Sequence, residues 1–163
     1  MPVTESTRTD AGLDPGNYNQ FSLIPLNDLF NERMRKVQAR FNPGQVIVRC
    51  ASLPLFSGNR EEISHLFDTL ISMILHQPPN GPKLFLYVDC AESAESRKAP
   101  KEAKQYLIKF NTNLTTSEHW KDQNREALAA CERILLRHGA AFSVHNIRNT
   151  GCLFSISLPG KFQ

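Results

Sequence analysis

The order in which apolar periodicity changes along the chain constrains the fold more tightly than any other sequence feature. Apolar residues at helical spacing alternate with short runs of strand-like composition. The predicted order is helix, strand, helix, strand, strand, helix, strand, strand. This order predicts an α+β chain built as a two-layer sandwich, in which a mixed, mostly antiparallel sheet is covered on one face by about three helices.

Three amphipathic helices are predicted, each bounded by residues that commonly begin or end helices. The second begins at Asn59, an N-cap residue that is followed three positions later by Glu62. The third ends at Gly139, because glycine is suited to the position after a helix. The predicted helices span about 27–41, 59–77 and 124–138.

Five short strands are predicted from runs rich in β-branched and aromatic residues. In the last of them Phe154, Ile156 and Leu158 alternate, as expected for a strand with one buried face. Residues 91–104 are charged and contain a proline, so they are predicted to be a connection between strands. Residues 148–151 are predicted to be a hairpin turn. The predicted strands span 46–50, 84–88, 106–110, 142–147 and 153–158.

Length and composition indicate a globular protein. A chain of 163 residues with 40% hydrophobic content is long enough for one substantial core. Residues 1–20 are polar and are expected to be a flexible leader that precedes one domain at 21–163. No apolar run approaches the roughly 20 residues that span a bilayer, and no signal-peptide core is apparent. We therefore expect a cytoplasmic protein with no membrane contact.

Charge and cysteine usage exclude further classes. The net charge of +3 is dispersed, so nucleic-acid binding is not expected. The densest basic stretch, 33–40, alternates with apolar residues at helical spacing and favours a solvated helix face over a phosphate-binding stripe. The cysteines are scattered without a CxxC motif, which indicates neither a zinc site nor a disulfide framework. They are Cys50, Cys90, Cys131 and Cys152.

Three segments carry motifs at a characteristic spacing. They are the LP and GN pairs within 53–59, the R-I-L-L-R-H-G helix end at 133–139, and the strand at 151–159 that begins G-C-L-F and closes in LP. In this order they resemble the catalytic and ATP-binding domain of histidine kinases. That family has LP-x(3)-GD before its N-box helix, (I/V)-x-x-HGG at a helix end, and a GT-x-F strand closing in LP. The resemblance covers about 22–159 and implies the Bergerat fold of the GHKL ATPase superfamily.

The resemblance also implies a magnesium site whose residues this chain has replaced. The family N-box, N-L-x-x-N-A-x-K, aligns with Thr69 and Met73 at its two asparagines and with Ile74 and His76 at its alanine and lysine. In the family the second asparagine supplies an oxygen to magnesium, a hard cation that a thioether cannot serve. Two alternatives stay open for Thr69, Met73 and Ile74, namely ordinary core and the lining of a remodelled apolar pocket. His76 lies at a helix end, where capping is favoured over catalysis.

The family motif for adenine is altered as well. The motif D-x-G-x-G uses its aspartate to accept a hydrogen bond from the adenine amino group. Here Thr112 takes the aspartate position, and Leu114 and Thr116 take the two glycine positions. A hydroxyl can accept only a weak, uncharged hydrogen bond, so adenine recognition is expected to be poor.

The phosphate motif and the ATP lid depart from the family pattern too. The family G-x-G-L cradles phosphate on free N–H groups at a helix N-terminus. Counting back from the helix end places Arg125 and Ala127 at its glycines, with Glu126 adding repulsion. Residues 82–138 contain no glycine. The lid is predicted to be a loop at 117–124 that is too short to close over a nucleotide.

These departures predict that the fold is retained and that ATP and magnesium binding are lost, with no cofactor, metal or catalytic residue. The predicted function is a non-catalytic signalling module that binds a protein partner: a kinase, a response regulator or a second copy. Two alternatives are kept: a divergent ATP-binding kinase domain acting in a two-component phosphorelay, and a phosphotransfer docking domain. His65 is followed by Leu66 rather than by an acidic residue, so autophosphorylation is not expected.

Overall fold

The computed structural model describes residues 21–41, 44–76, 82–93, 104–113, 119–147 and 151–161. The leader predicted at 1–20, much of the connections predicted around 78–82, 91–104 and 148–151, and Leu114 lie outside these ranges. The described elements, in chain order, are β1 (Phe21–Pro25), α1 (Leu26–Gln38), β2 (Val46–Cys50), β3 (Leu55–Asn59), α2 (Arg60–Leu75), β4 (Leu84–Glu92), β5 (Gln105–Thr112), α3 (Trp120–Gln123), α4 (Arg125–Arg137), β6 (Ala141–Ile147) and β7 (Gly151–Pro159).

The main sheet has five strands in the order β2-β4-β5-β7-β6. Strands β2 and β4 are parallel, and every other neighbouring pair is antiparallel. This confirms the prediction of a mixed, mostly antiparallel sheet. A separate antiparallel ribbon joins β1 to β3, and Leu55 of this ribbon forms an isolated bridge with Lys161 beyond the end of β7.

The helices cover one face of the main sheet, because alternate strand residues are apolar. Leu86, Phe110 and Phe154 point into the core and are fully buried, whereas Tyr87 and Lys109 on the opposite face are exposed. Helix α1 lies at the β2 side, where the Asn27 side chain donates to the Ala51 carbonyl at 2.9 Å and accepts from the Leu53 N–H at 2.7 Å. Helix α2 packs between α1 and α4, and α4 packs over β6. No described helix is both long and apolar enough to cross a bilayer.

Strands β1 and β3 were missed by the sequence prediction, which began the domain with a helix. Their sequences, FSLIP and LFSGN, contain proline, glycine and asparagine, which are depleted in strands. Each is paired only with the other among the described strands, so tertiary pairing rather than local propensity forms them. Strand β4 also continues to Glu92, into the segment predicted to be a connection.

A buried histidine ties the ribbon to two helices. His138, at the C-cap of α4, donates from Nδ1 to the Ile134 carbonyl at 2.7 Å and accepts the Asn59 N–H on Nε2 at 3.1 Å. These two bonds require a neutral imidazole with its proton on Nδ1. The ring stacks on Phe21 with a centroid separation of 5.0 Å. A Cβ at Gly58 would lie 2.7 Å from the ring, so only glycine fits there without movement.

The histidine contacts predict a large stability effect. We expect His138→Ala to lower the free energy of unfolding by about 3 kcal/mol, because it removes the hydrogen bonds of the buried ring to Asn59 and Ile134 and opens a cavity beside Phe21. Urea unfolding followed by circular dichroism measures this loss. The control is His145→Ala at an exposed position of β6, where we expect little change. Equal losses in both variants would contradict the structural role of His138.

Candidate functional site

A cleft of about 480 Å³ opens between α2 and the start of α4. Four of the seven predicted site residues line it together: Thr69, Met73, His76 and Ala127. The three on α2 share one face because they are spaced by four and three residues. The complete lining consists of His65, Asp68, Thr69, Ser72, Met73, His76, Asn124 and Ala127.

The floor of the cleft is apolar at Met73, the residue that the sequence resemblance aligned with a magnesium ligand. Met73 is only 5% exposed and belongs to the hydrophobic core, yet it also lines the cleft. Met73 is therefore both part of the core and part of the cleft lining, which are the two alternatives that the sequence left open. A thioether offers no oxygen to a hard cation. Among the described ranges, no three His, Cys, Asp or Glu side chains lie close enough together to hold a metal ion.

Polar groups of α2 beside the cleft are already engaged. Nδ1 of His76 lies 2.6 Å from the Ser72 carbonyl and 3.2 Å from the Ser72 hydroxyl, so this residue caps the end of its own helix. Asp68 accepts two hydrogen bonds from the Arg33 guanidinium, at 2.7 and 2.6 Å. This bidentate pair ties α1 to α2 and raises the pKa of Arg33 above its ordinary value. The Asp68 carboxylate is therefore neutralised by protein and not held free for a cation.

Two other predicted site residues lie outside the cleft. Thr112 is at the end of β5, where its hydroxyl donates to the Cys152 carbonyl at 3.0 Å. Arg125 is exposed at the start of α4 and pairs with Asp122 at 3.2 Å. Neither side chain is part of the cleft lining. The motif alignment placed these residues near the site, but their side chains contact the neighbouring elements β7 and α3.

The segment 117–124, predicted to be a shortened lid, contains a short helix in its described part, 119–124, which the sequence prediction did not include. Helix α3 buries Trp120, which is 3% exposed and packs edge-on against Phe154 with ring centroids 5.8 Å apart. The indole Nε1 is buried with no hydrogen-bond partner among the described residues. Burial raises the pKa of the nearby Cys152 thiol to about 11, with Lys121 partly offsetting the rise. Sequence reasoning missed Trp120, although it is the single tryptophan of the chain.

Gly151 lets two strand ends approach each other closely. Its φ of +153° is unfavourable for residues with a side chain, and a Cβ there would overlap the Thr112 carbonyl oxygen. Glycine begins β7 at this point, and Thr112 pairs with its neighbour Cys152. Glycine at position 151 is thus required by the packing of β7 against the end of β5.

The comparisons with known proteins agree with this architecture. No protein-family model matches the sequence, and no curated protein matches it. Among solved structures, the chain is similar to the catalytic domain of histidine kinase ThkA in a nucleotide-free form, with a TM-score of 0.65 and 13% identity over 88% of this chain and 99% of that one. It is also similar to the cytoplasmic segment of histidine kinase QseC, with a TM-score of 0.63 and 18% identity over 94% and 88% of the two chains.

A third similar structure is the ATP-binding domain of PrrB from Mycobacterium tuberculosis, with a TM-score of 0.59 and 16% identity over 86% of this chain and 97% of that one. At these identities the comparisons establish the fold. The chain has the Bergerat-type fold of histidine kinase catalytic and ATP-binding domains, as the sequence motifs predicted.

Gly151 and Gly139 provide a matched pair of stability tests. Both have positive φ, at +153° and +70°, but a Cβ at Gly139 would meet no atom within 4 Å. We expect Gly139→Ala to cost about 1 kcal/mol of unfolding free energy from backbone strain alone. Gly151→Ala should cost at least about 3 kcal/mol, because strain adds to overlap with Thr112. Chemical denaturation of both variants measures the difference, and equal costs would contradict the close approach.

Proposed function

We propose that this chain is a non-catalytic signalling module that keeps the histidine kinase ATPase fold and does not bind ATP or magnesium. The observation that carries the proposal is the chemistry of the cleft. Met73 stands where the resemblance requires the magnesium-binding asparagine, and its buried thioether forms part of the cleft floor. A module of this kind would act through a protein partner, and we expect it in the cytoplasm.

The environment of the adenine position supports the same proposal. The Thr112 hydroxyl, in place of the family aspartate, donates a hydrogen bond to the Cys152 carbonyl and carries no charge. Helix α3 packs the Trp120 indole beside the same strand, β7, against Phe154. In the family, the lid in this part of the chain closes over bound nucleotide. Here a described part of that segment is occupied in packing the core.

The start of α4 supports the loss of phosphate binding. The resemblance requires glycines that let phosphate approach free N–H groups at a helix N-terminus. In this chain Ala127 lines the cleft with its side chain, and the carboxylate of Glu126 lies exposed in the first turn. A carboxylate in that turn repels phosphate. Arg125 could attract phosphate, but it points to solvent and pairs with Asp122.

One alternative is favoured by a specific observation, namely that the cleft is open and has a volume of about 480 Å³. A cleft of this size falls within the range of ligand pockets. A divergent ATP-binding domain could therefore act in a two-component phosphorelay on a phosphoacceptor histidine of another chain. Transfer of radiolabel from ATP to such a partner, compared with a partner whose histidine is replaced, would establish this alternative.

The single tryptophan gives a direct test of nucleotide binding. We expect ATP with magnesium, titrated to about 1 mM, to produce no binding heat and no change in Trp120 fluorescence. A dissociation constant below about 100 µM, or about −5.5 kcal/mol, would contradict the proposal. A histidine kinase catalytic domain that binds ATP serves as the positive control under the same conditions.

A second variant separates loss of ligands from simple blockage by Trp120. Trp120→Ala should leave calorimetric binding undetected, because the groups at Met73 and Thr112 are unchanged. Circular dichroism confirms that the variant is folded. If this variant gained affinity for ATP, the indole would only block a site whose remaining groups can still bind ATP. That result would contradict the proposal.

A further inference from the structure

A row of side chains crosses the whole width of the main sheet, on the face that is turned away from the helices. The strand register places one residue of each strand in this cross-sheet row. In sheet order they are Arg49, Tyr87, Asn111, Leu153 and His145. Each of them is exposed or half-buried. Since neighbouring strands lie about 4.8 Å apart, the cross-sheet row is about 19 Å long.

Tyr87 gives the cross-sheet row an accessible aromatic surface. This residue is 40% exposed, and its ring centroid lies 5.9 Å from that of Phe85 on the same face of β4. A concavity of about 400 Å³ opens beside Tyr87 at the β2 side, and its lining includes Arg49 and Asp89. A flat ring of a ligand can therefore stack on an aromatic side chain that the sheet already holds in place.

The charges on this face favour an anionic ligand. Arg49 and Lys109 are exposed, and neither forms an ion pair with another residue in the described part of the chain. Among the described strand residues of this face, the one carboxylate is Asp89. It lies opposite Lys109 and accepts a hydrogen bond from the Asn111 side-chain amide at 3.3 Å. The cations therefore outnumber the carboxylate beside the Tyr87 ring.

An aromatic ring and unpaired cations on one open sheet face match the chemistry of a nucleic-acid single strand. Its bases present flat faces for stacking, and its phosphates present negative charge to arginine and lysine. A duplex hides the faces of its bases within its own stack, so it offers no ring to Tyr87. A protein partner would have to bury Asp89 and Lys109, residue types that are depleted in protein interfaces.

We propose that the cross-sheet row binds single-stranded nucleic acid, with one base stacked on Tyr87 and the neighbouring phosphates paired with Arg49 and Lys109. Sheet-based RNA-binding modules use the same chemistry, in which aromatic side chains on an open sheet stack about two or three bases. The dispersed charge of the sequence does not predict this site, because the row exists only once the strands are paired. The site lies on the opposite side of the sheet from the cleft, so it is independent of nucleotide binding there.

Fluorescence anisotropy of a labelled uridine RNA of about ten nucleotides, titrated with the full chain at about 50 mM salt, tests the proposal. We expect a dissociation constant of about 10 µM, and a similar value for a thymidine DNA strand of the same length. A duplex and an abasic strand of that length should bind at least about fivefold more weakly, because neither offers a base for stacking. No binding of the RNA at about 0.1 mM protein, or equal affinity for the abasic strand, would overturn the proposal.

The stacking contact has its own pair of variants. Tyr87→Ala should weaken binding of the uridine RNA at least about fivefold, because it removes the ring on which a base stacks. Tyr87→Phe keeps the ring and should bind as tightly as the native chain. Circular dichroism checks that both variants are folded, as expected for an exposed position. Unchanged affinity in Tyr87→Ala, or an equal loss in Tyr87→Phe, would overturn the stacking role.

The salt dependence of binding separates a phosphate contact on this face from diffuse attraction to a basic protein. In Arg49→Ala, the slope of log affinity against log salt concentration should become shallower by about 0.7, because one phosphate contact is lost. Arg35→Ala is the matched control, since it removes the same charge from an exposed position of α1 and should keep the native slope. Equal changes of slope in the two variants would overturn the proposal.

Discussion

The imidazole of His138 joins the end of α4, the start of α2 and the β1–β3 ribbon. One ring nitrogen is bound to the Ile134 carbonyl of α4, and the other accepts the N–H of Asn59 at the start of α2. Asn59 in turn caps α2 by accepting the Glu62 N–H on its side chain. The ring, with a single allowed proton position, therefore ties the end of α4 to the start of α2, at the opposite end of these helices from the cleft. Phe21 stacks on the ring and Gly58 lies against it, so His138 also packs against the β1–β3 ribbon.

Local signals account for the parts of the fold that the sequence predicted. The N-cap at Asn59 and the positive φ of Gly139 both act within one helical turn, and the structure confirms the helix ends that they indicated. The ribbon could not be predicted in this way. Strand β3 is stabilised by pairing with β1, about thirty residues earlier, and by the contact of Gly58 with His138, about eighty residues later. The five residues of β3 contain no local sequence signal for either contact.

The candidate site shows the same difference between features set by local signals and features set by long-range contacts. Thr69, Met73 and His76 lie in one cleft because helical spacing alone puts them on one face. Thr112 and Arg125 were placed by alignment to motifs, and an alignment gives a backbone position without the direction of the side chain. The burial of Trp120 depends on Phe154, a residue of another element, so no local sequence pattern predicted it.

Residues held by close contacts and residues at the surface differ in how well they tolerate substitution. Gly58, His138 and Gly151 are each fixed by a close contact in which another side chain would clash or remove a hydrogen bond. Arg125 is exposed and lies outside the cleft lining, so a substitution at this position costs the fold little. Met73 is the informative case, because it is buried: an asparagine there would need polar partners, and a thioether needs none. A thioether at position 73 therefore suits the core better than an amide would.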